Sequence, residues 1–244
     1  MTTMAGETIK SRAICLDIRP WSRTSHVVSW LTPMGKVATV VKGAVRPKSA
    51  FLGQYDLNYT CDIVYYARAR GELHALRECV PVEMREELRG AYRRLALAGY
   101  MRRLVAELAP AGEDCRTWYE LLRRGLEDLG PKTEDLVRFE LEVLRLSGLA
   151  PDFSKYDKSA EWSAFALETG AFGTDGGRCV RVSRKVADYL ARLQRGAVSS
   201  AQDLQTPLDA ARVISVFYQF HLDCATDVRR TVLGMISSSK EGSC

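Results

Sequence analysis

"LNYTCDIVYY", Leu57 to Tyr66, alternates its side chains with a period of two. Leu57, Tyr59, Cys61, Ile63 and Tyr65 fall on one face, and Asn58, Thr60, Asp62 and Tyr66 fall mostly on the other. Successive side chains of a strand point to opposite sides, so this stretch predicts a strand with one packed and one wet face. Such a strand needs neighbours, and similar short runs flank it. Upstream are "IKSRAICLDI", "HVVSWL" and "KVATVV"; downstream, after a tight turn at Ala69–Gly71, comes "GELHALREC". Turn signals separate the runs at Pro20 with Ser22, at Pro33 to Gly35, and at Gly43 to Pro47. Five short strands with no helical pattern between them predict a small antiparallel barrel over residues 1–80, with the five-stranded OB-fold as the example.

After Pro81 the period lengthens. Met84, Leu88, Ala91, Leu95, Ala98, Met101, Val105 and Leu108 form a stripe at helical spacing, ended by Pro110. A second helix fits Asp114–Leu129. A third begins with Thr133 as N-cap and carries Leu136, Phe139, Val143 and Leu146, backed by Val137, Leu141 and Leu144. Being apolar on two sides, it is expected at the centre of a second, mostly helical domain spanning 81–244. Ser183–Arg195 and Pro207–Asp223 fit two more helices. Residues 151–182 hold no sustained period and read as an irregular insertion, and the seven residues from Ser238 read as frayed. The fold class is α+β, a barrel followed by helices.

At 244 residues, with 46% apolar and 27% charged, the composition is that of a soluble globular protein. The first residues lack the layout of a signal peptide, and no apolar run approaches the ~18 residues of a membrane span. A cytoplasmic protein with no membrane partner is expected. Seven cysteines, none in a CxxC pair, fit a reducing compartment with buried thiols.

Charge is unevenly placed. Residues 1–80 hold 11 Lys and Arg against 6 Asp and Glu, whereas residues 81–244 hold 24 of each. Between Ile18 and Tyr55 stand Arg19, Arg23, Lys36, Lys42, Arg46 and Lys48 with no acid among them, interleaved with Trp21 and Trp30. Cations that track a backbone and aromatics that meet bases are what a barrel uses to hold a single strand. The competing reading is a solvated loop beside core tryptophans. The helical arginines Arg85, Arg89, Arg93, Arg94, Arg102 and Arg103 alternate with Glu83, Glu86, Glu87 and Glu107, which reads as a mixed solvated face.

Catalytic signatures are missing: no P-loop, GxSxG or HExxH pattern occurs, and His26, His74 and His221 lie in separate elements. "GAFGTDGG", Gly170–Gly177, follows an irregular segment and reads as a turn.

"KSRAICLDIRPWSRTSHVVSWLTPMGKVATVVKGAVRPKSAFLG" resembles the start of the RecO family of bacterial recombination mediators, with Thr32, Gly35, Lys42, Gly43, Arg46, Lys48, Ser49 and Gly53 in place. "LVRFELEVLRLSGLAPD" (Leu136–Asp152) resembles the central helix of that family and its exit. "GGRC" (Gly176–Cys179) and "ISVFYQFHLDCATDVRRTVL" (Ile214–Leu233) resemble later landmarks. The resemblance implies a non-enzymatic role without cofactor. It comprises binding single- and double-stranded DNA, annealing complementary strands, and acting with RecR to load RecA onto strands coated by the single-strand-binding protein SSB. It also implies a nucleoid-associated location, and contacts to RecR and the SSB tail through the helical domain. The cationic loop would then face DNA. An OB-type RNA-binding protein would carry the same charge map, and a nuclease would need an acid cluster for metal ions.

One departure stands out. Many members carry four zinc-binding cysteines, and the corresponding positions here are Tyr156, Ser159, Cys179 and Val182. One thiolate cannot complete a tetrahedral zinc shell. Phe153, Trp162, Phe165 and Phe172 are expected to pack where the metal would tie the loop, and no metal is expected.

Overall fold

Strand β1 (Thr8–Ser22) is long enough to serve two neighbours. Its first half pairs antiparallel with β4 (Thr60–Tyr66), from Thr8 opposite Tyr66 to Ile14 opposite Thr60. Its second half pairs with β2 (Ser25–Thr32), from Ile14 opposite Leu31 to Ser22 opposite Ser25. β2 turns into β3 (Gly35–Val41), and β4 pairs with β5 (Leu73–Glu83). The barrel closes in the order β1-β2-β3-β5-β4, with Ala38–Val40 beside Leu73–Ala75 in parallel. A ring of five strands cannot alternate direction all the way round, so one seam of the expected antiparallel barrel is parallel. This is the five-stranded barrel of the OB-fold.

The chain is seen in a computed structural model that describes residues 7–68, 71–111, 114–130, 132–173, 177–197, 205–222 and 226–237. The expected frayed end, from Ser238, lies outside the described residues. Two compact units are present, Met1–Asp128 and Leu129–Cys244.

The alternation of the opening stretch sets the barrel interior. Tyr59, Cys61, Ile63 and Tyr65 join Ala13, Cys15, Val28, Trp30, Val41, Leu76 and Cys79 in one core, while Leu57 precedes β4 and is exposed. Trp30 is fully buried, and its indole N–H donates to Thr39 Oγ1 at 2.8 Å. Partnering that donor is what lets an indole sit in a core. Two bulges interrupt β1, where Leu16 and Trp21 are extra residues without a partner on β2.

Helices α1 (Tyr92–Leu108) and α2 (Arg116–Glu127) cluster with the barrel in the first unit. The expected helix from Met84 begins eight residues later. Arg85 takes a left-handed backbone (φ 50°), Glu86–Gly90 form a 3-10 turn, and Ala91 is extended. The cause is the Arg85 side chain, buried where it donates to the carbonyl of Asn58 at 2.7 Å and to Glu83 at 2.5 Å. Two more cations dock α1: Arg102 donates to the carbonyl of the bulged Leu16, and Lys36 Nζ to that of Ala106 at 3.1 Å. Burial lowers the Arg102 pKa, against the raising effect of Cys15 and Asp17.

In the second unit, α3 (Thr133–Leu146) is buried on both sides, as its pattern predicts. Lys132, not Thr133, holds the cap position, and its backbone N–H donates to Asp135 at 3.2 Å. Around α3 lie α4 (Arg184–Gln194), α5 (Gln205–His221) and α6 (Thr226–Ser237). Glu140 of α3 is fully buried and takes a two-pronged bond from Arg229 of α6, at 2.6 and 2.8 Å. The segment read as irregular contains a small sheet, β7-β6-β8, made of β6 (Trp162–Ala166), β7 (Ala171–Phe172) and β8 (Cys179–Ser183). Phe153 stacks on Phe165 with ring centroids 4.9 Å apart, and Phe172 meets both edge-on. Trp162, expected in that cluster, is 48% exposed instead, with the Arg181 guanidinium over its ring at 5.2 Å.

Candidate nucleic-acid interface

Beyond Ile14, Cys15 still exchanges backbone bonds with Asn58 and Tyr59, and the Leu16 carbonyl takes Arg102. From Asp17 to Ser22, β1 is laddered to β2 alone and forms a ribbon with an open outer edge. That edge tolerates Pro20, which has no N–H to donate. Arg23 and Thr24 turn the ribbon back. Its tip is fastened to the start of the loop between β3 and β4. The Gly43 N–H donates to Ser25 Oγ at 3.2 Å, and the Val45 N–H to the carbonyl of Thr24 at 3.3 Å. The loop then folds through successive turns, Arg46 to Gly43, Ser49 to Arg46 and Leu52 to Ser49, at 2.9–3.3 Å. Positive φ at Gly43 (67°) opens it, and the Arg46 stem lies over that glycine, 3.2 Å from where a Cβ would sit. The cations thus stand on a fixed base.

Register sorts the six predicted residues. Arg23, Lys42, Arg46 and Lys48 are exposed at this one end of the barrel, and among the described residues no carboxylate pairs with them. Arg19, on the adjoining ribbon, is exposed but bonded to Asp17 at 2.5 Å. Lys36 is the second residue of β3, six residues from Lys42, which at ~3.3 Å per residue separates them by roughly 20 Å. Its ammonium caps the C-terminal end of α1. Four of the six therefore form an unpaired cationic end, Arg19 adjoins it already paired, and Lys36 stands apart as a helix-docking residue.

The two candidate aromatics divide as well. Trp30 belongs to the core, whereas Trp21 is 62% exposed on the ribbon. The helical arginines are largely engaged: Arg89 bonds Asp56 and lies over the Tyr59 ring, and Arg85 and Arg102 are structural. The histidines are structural too. His26 Nδ1 meets the Tyr55 hydroxyl at 2.8 Å, and burial pushes that phenol's pKa up and keeps it protonated. His74 Nδ1 accepts the Arg68 N–H at 3.1 Å, and His221 Nε2 meets the carbonyl of Leu167 at 2.7 Å. Among the described residues no group of three His, Cys, Asp or Glu side chains is placed to hold a metal ion.

The family model described as the N terminal of recombination protein O matches residues 4–85, and the one described as its C terminal matches residues 89–226. The chain belongs to the RecO family. The DNA repair protein RecO of Alkaliphilus metalliredigens is 30% identical over 149 residues, which is 59% of this chain and 59% of that protein. That of Moorella thermoacetica is 30% identical over 145 residues, 58% of this chain and 54% of that one. The chain thus spans a little over half the length of these two relatives. With the RecO of Anaeromyxobacter sp. (strain K) the match covers 91% of this chain and 94% of that protein, at 27% identity.

Several residues that carry the RecO resemblance set local geometry. Thr32 Oγ1 donates to the Gly35 carbonyl at 2.8 Å and accepts from Met34 N–H at 3.2 Å, which shapes the turn into β3. Gly53 has φ 75° in the cationic loop. The zinc positions of the RecO family do not fit a metal in this chain. Val182 is buried and apolar, the Tyr156 hydroxyl donates to Asp188 at 3.3 Å, Ser159 bonds Asp157, and Cys179 is exposed.

Proposed function

We propose that this chain is a non-enzymatic recombination mediator in DNA repair. In this reading it binds single- and double-stranded DNA and anneals complementary strands. With RecR it helps load RecA onto single strands coated by SSB, whose C-terminal tail it contacts. The observation that carries the reading is the cationic end of the barrel, where Arg23, Lys42, Arg46 and Lys48 project from a firmly bonded loop and ribbon. Membership of the RecO family supports it, and the relatives bear the name DNA repair protein RecO. Among the described residues no helix is long and apolar enough to cross a membrane.

Mechanistically, the loop neutralises phosphates and releases counterions. Each contact contributes roughly 0.7 to the logarithmic salt slope on single strands. Changing Lys42, Arg46 and Lys48 together to Glu is expected to weaken single-strand binding and to lower that slope by about 2. Annealing of complementary oligonucleotides, with and without SSB, should fall in parallel. An unchanged slope would make the loop merely solvated and overturn the reading. Preference for RNA over DNA in direct competition would favour an RNA-binding protein instead.

A further inference from the structure

We propose that Trp21 is a stacking platform for one unpaired nucleobase, so that the cationic end takes an opened strand and leaves the pairing edge of that base free. This rests on the nucleic-acid reading above. Of the first unit's three tryptophans, Trp30 and Trp118 are 0% and 6% exposed, whereas Trp21 is 62% exposed. Its exposure has a structural cause. Pro20 pairs with His26 and Ser22 with Ser25, so Trp21 is the extra residue of a bulge and no partner on β2 stands opposite it. Bulges re-aim a side chain, and this one sits at the ribbon tip bonded to Gly43 and Val45 of the cationic loop.

An indole in this position is chemically matched to a single strand. Arg23 lies two residues on and Arg19, paired with Asp17, two residues back, and the tip beside it adjoins Lys42 and Arg46. Cations for the backbone with an aromatic face for the base make up a single-strand site. Val45, 47% exposed on the same tip, adds an apolar rim. Duplex DNA offers the cations its phosphates but keeps its bases stacked, so the indole has no base to take. A base held by its π-face keeps its Watson–Crick edge available, as pairing with an incoming complementary strand requires.

The test uses the full chain with Trp21→Ala and Trp21→Phe, titrated with oligothymidylate, an abasic strand of equal length and a blunt duplex. Trp21→Ala is expected to weaken oligothymidylate binding roughly 5- to 150-fold, the range for losing one base stack. Abasic and duplex binding should change less than about twofold, and Trp21→Phe should restore most of the loss. Intrinsic fluorescence of the unaltered chain should be quenched by oligothymidylate, and the quench should vanish in Trp21→Phe but persist in Trp162→Phe. Equal losses on all three probes, or a quench that survives Trp21→Phe, would overturn the stacking role while leaving the cationic site standing. Failure of the unaltered chain to bind any probe would overturn both.

Discussion

Lys36 lies near the start of β3 and Lys42 just past its end, and their positions set different expectations that a pair of alanine substitutions separates. The Lys36 ammonium donates to the Ala106 carbonyl at 3.1 Å, one of the last carbonyls of α1 and without an intrahelical partner. A charged hydrogen bond contributes roughly 1.5–3 kcal/mol, and a cation at a helix C-terminus about 0.3–1 kcal/mol of overlapping effect. Lys36 is half-buried, and water replaces part of the bond once the side chain is cut back. The expected cost of Lys36→Ala is therefore about 1–2 kcal/mol, which for a unit of this size lowers the melting temperature by roughly 3–8 °C. Its effect on the salt slope of single-strand binding should be nil. Lys42→Ala should do the reverse, taking about 0.7 off the slope and leaving stability within about 0.5 kcal/mol. Thermal melting and binding at several salt concentrations read both quantities. A Lys36→Ala protein that melts normally but loses about 0.7 of slope would refute the assignment of Lys36 to the helix.

The buried pair in the second unit gives a larger effect. Glu140→Ala strands the Arg229 guanidinium and should cost about 3–5 kcal/mol by denaturant unfolding, against under about 1 kcal/mol for an exposed pair such as Arg145–Glu142. Phe153→Ala should cost about 3–5 kcal/mol, whereas a chelator should leave melting unmoved and elemental analysis should find no stoichiometric zinc. About one zinc per chain would defeat that expectation. His74 gives a pH dependence. Burial, helped by Arg68, lowers its pKa from the ordinary 6.5, and its Nδ1 accepts a backbone N–H. The unfolded chain therefore takes the proton first. Stability should be full above the ordinary histidine pKa and should fall as pH drops through it toward the folded value. A ring titration by NMR at or above the free-histidine value would contradict this.

The barrel was readable because alternation marks the side of β4 that enters the core. The side expected to be wet is largely covered too: Asn58, Thr60 and Val64 are buried and only Asp62 and Tyr66 are exposed. Tyr59, Cys61, Ile63 and Tyr65 declared their side without any help from the rest of the chain. Residues whose role depends on a distant partner were not readable. Lys36 and Lys42 are the same side chain in similar surroundings, and only strand direction and the arrival of α1 distinguish them. Trp21 and Trp30 looked equivalent until one register slip in β1 put the first outside. The start of α1 was misplaced because the apolar stripe runs unbroken through Leu88, while the buried contact of Arg85 with Asn58 overrides it. Helix α6 went unread, although Glu140, an acid inside an otherwise apolar helix face, was a signal that a buried cation would come from elsewhere. The small sheet of the second unit has strands of two to five residues, too short for a period to show.

The parallel seam between β3 and β5 also dictates an order of events during synthesis. The edge of β3 at Ala38–Val40 has no partner until Leu73–Ala75 have been made. At ordinary translation speeds the gap lasts roughly 2–7 s. An open strand edge invites pairing with other nascent chains, and the usual defence is charge placed beside it. Lys42, Arg46 and Lys48 follow that edge directly in the chain and are made before its partner. The cations proposed to meet phosphate in the finished barrel would also, by mutual repulsion between neighbouring nascent chains, disfavour pairing at that edge while the barrel is still open.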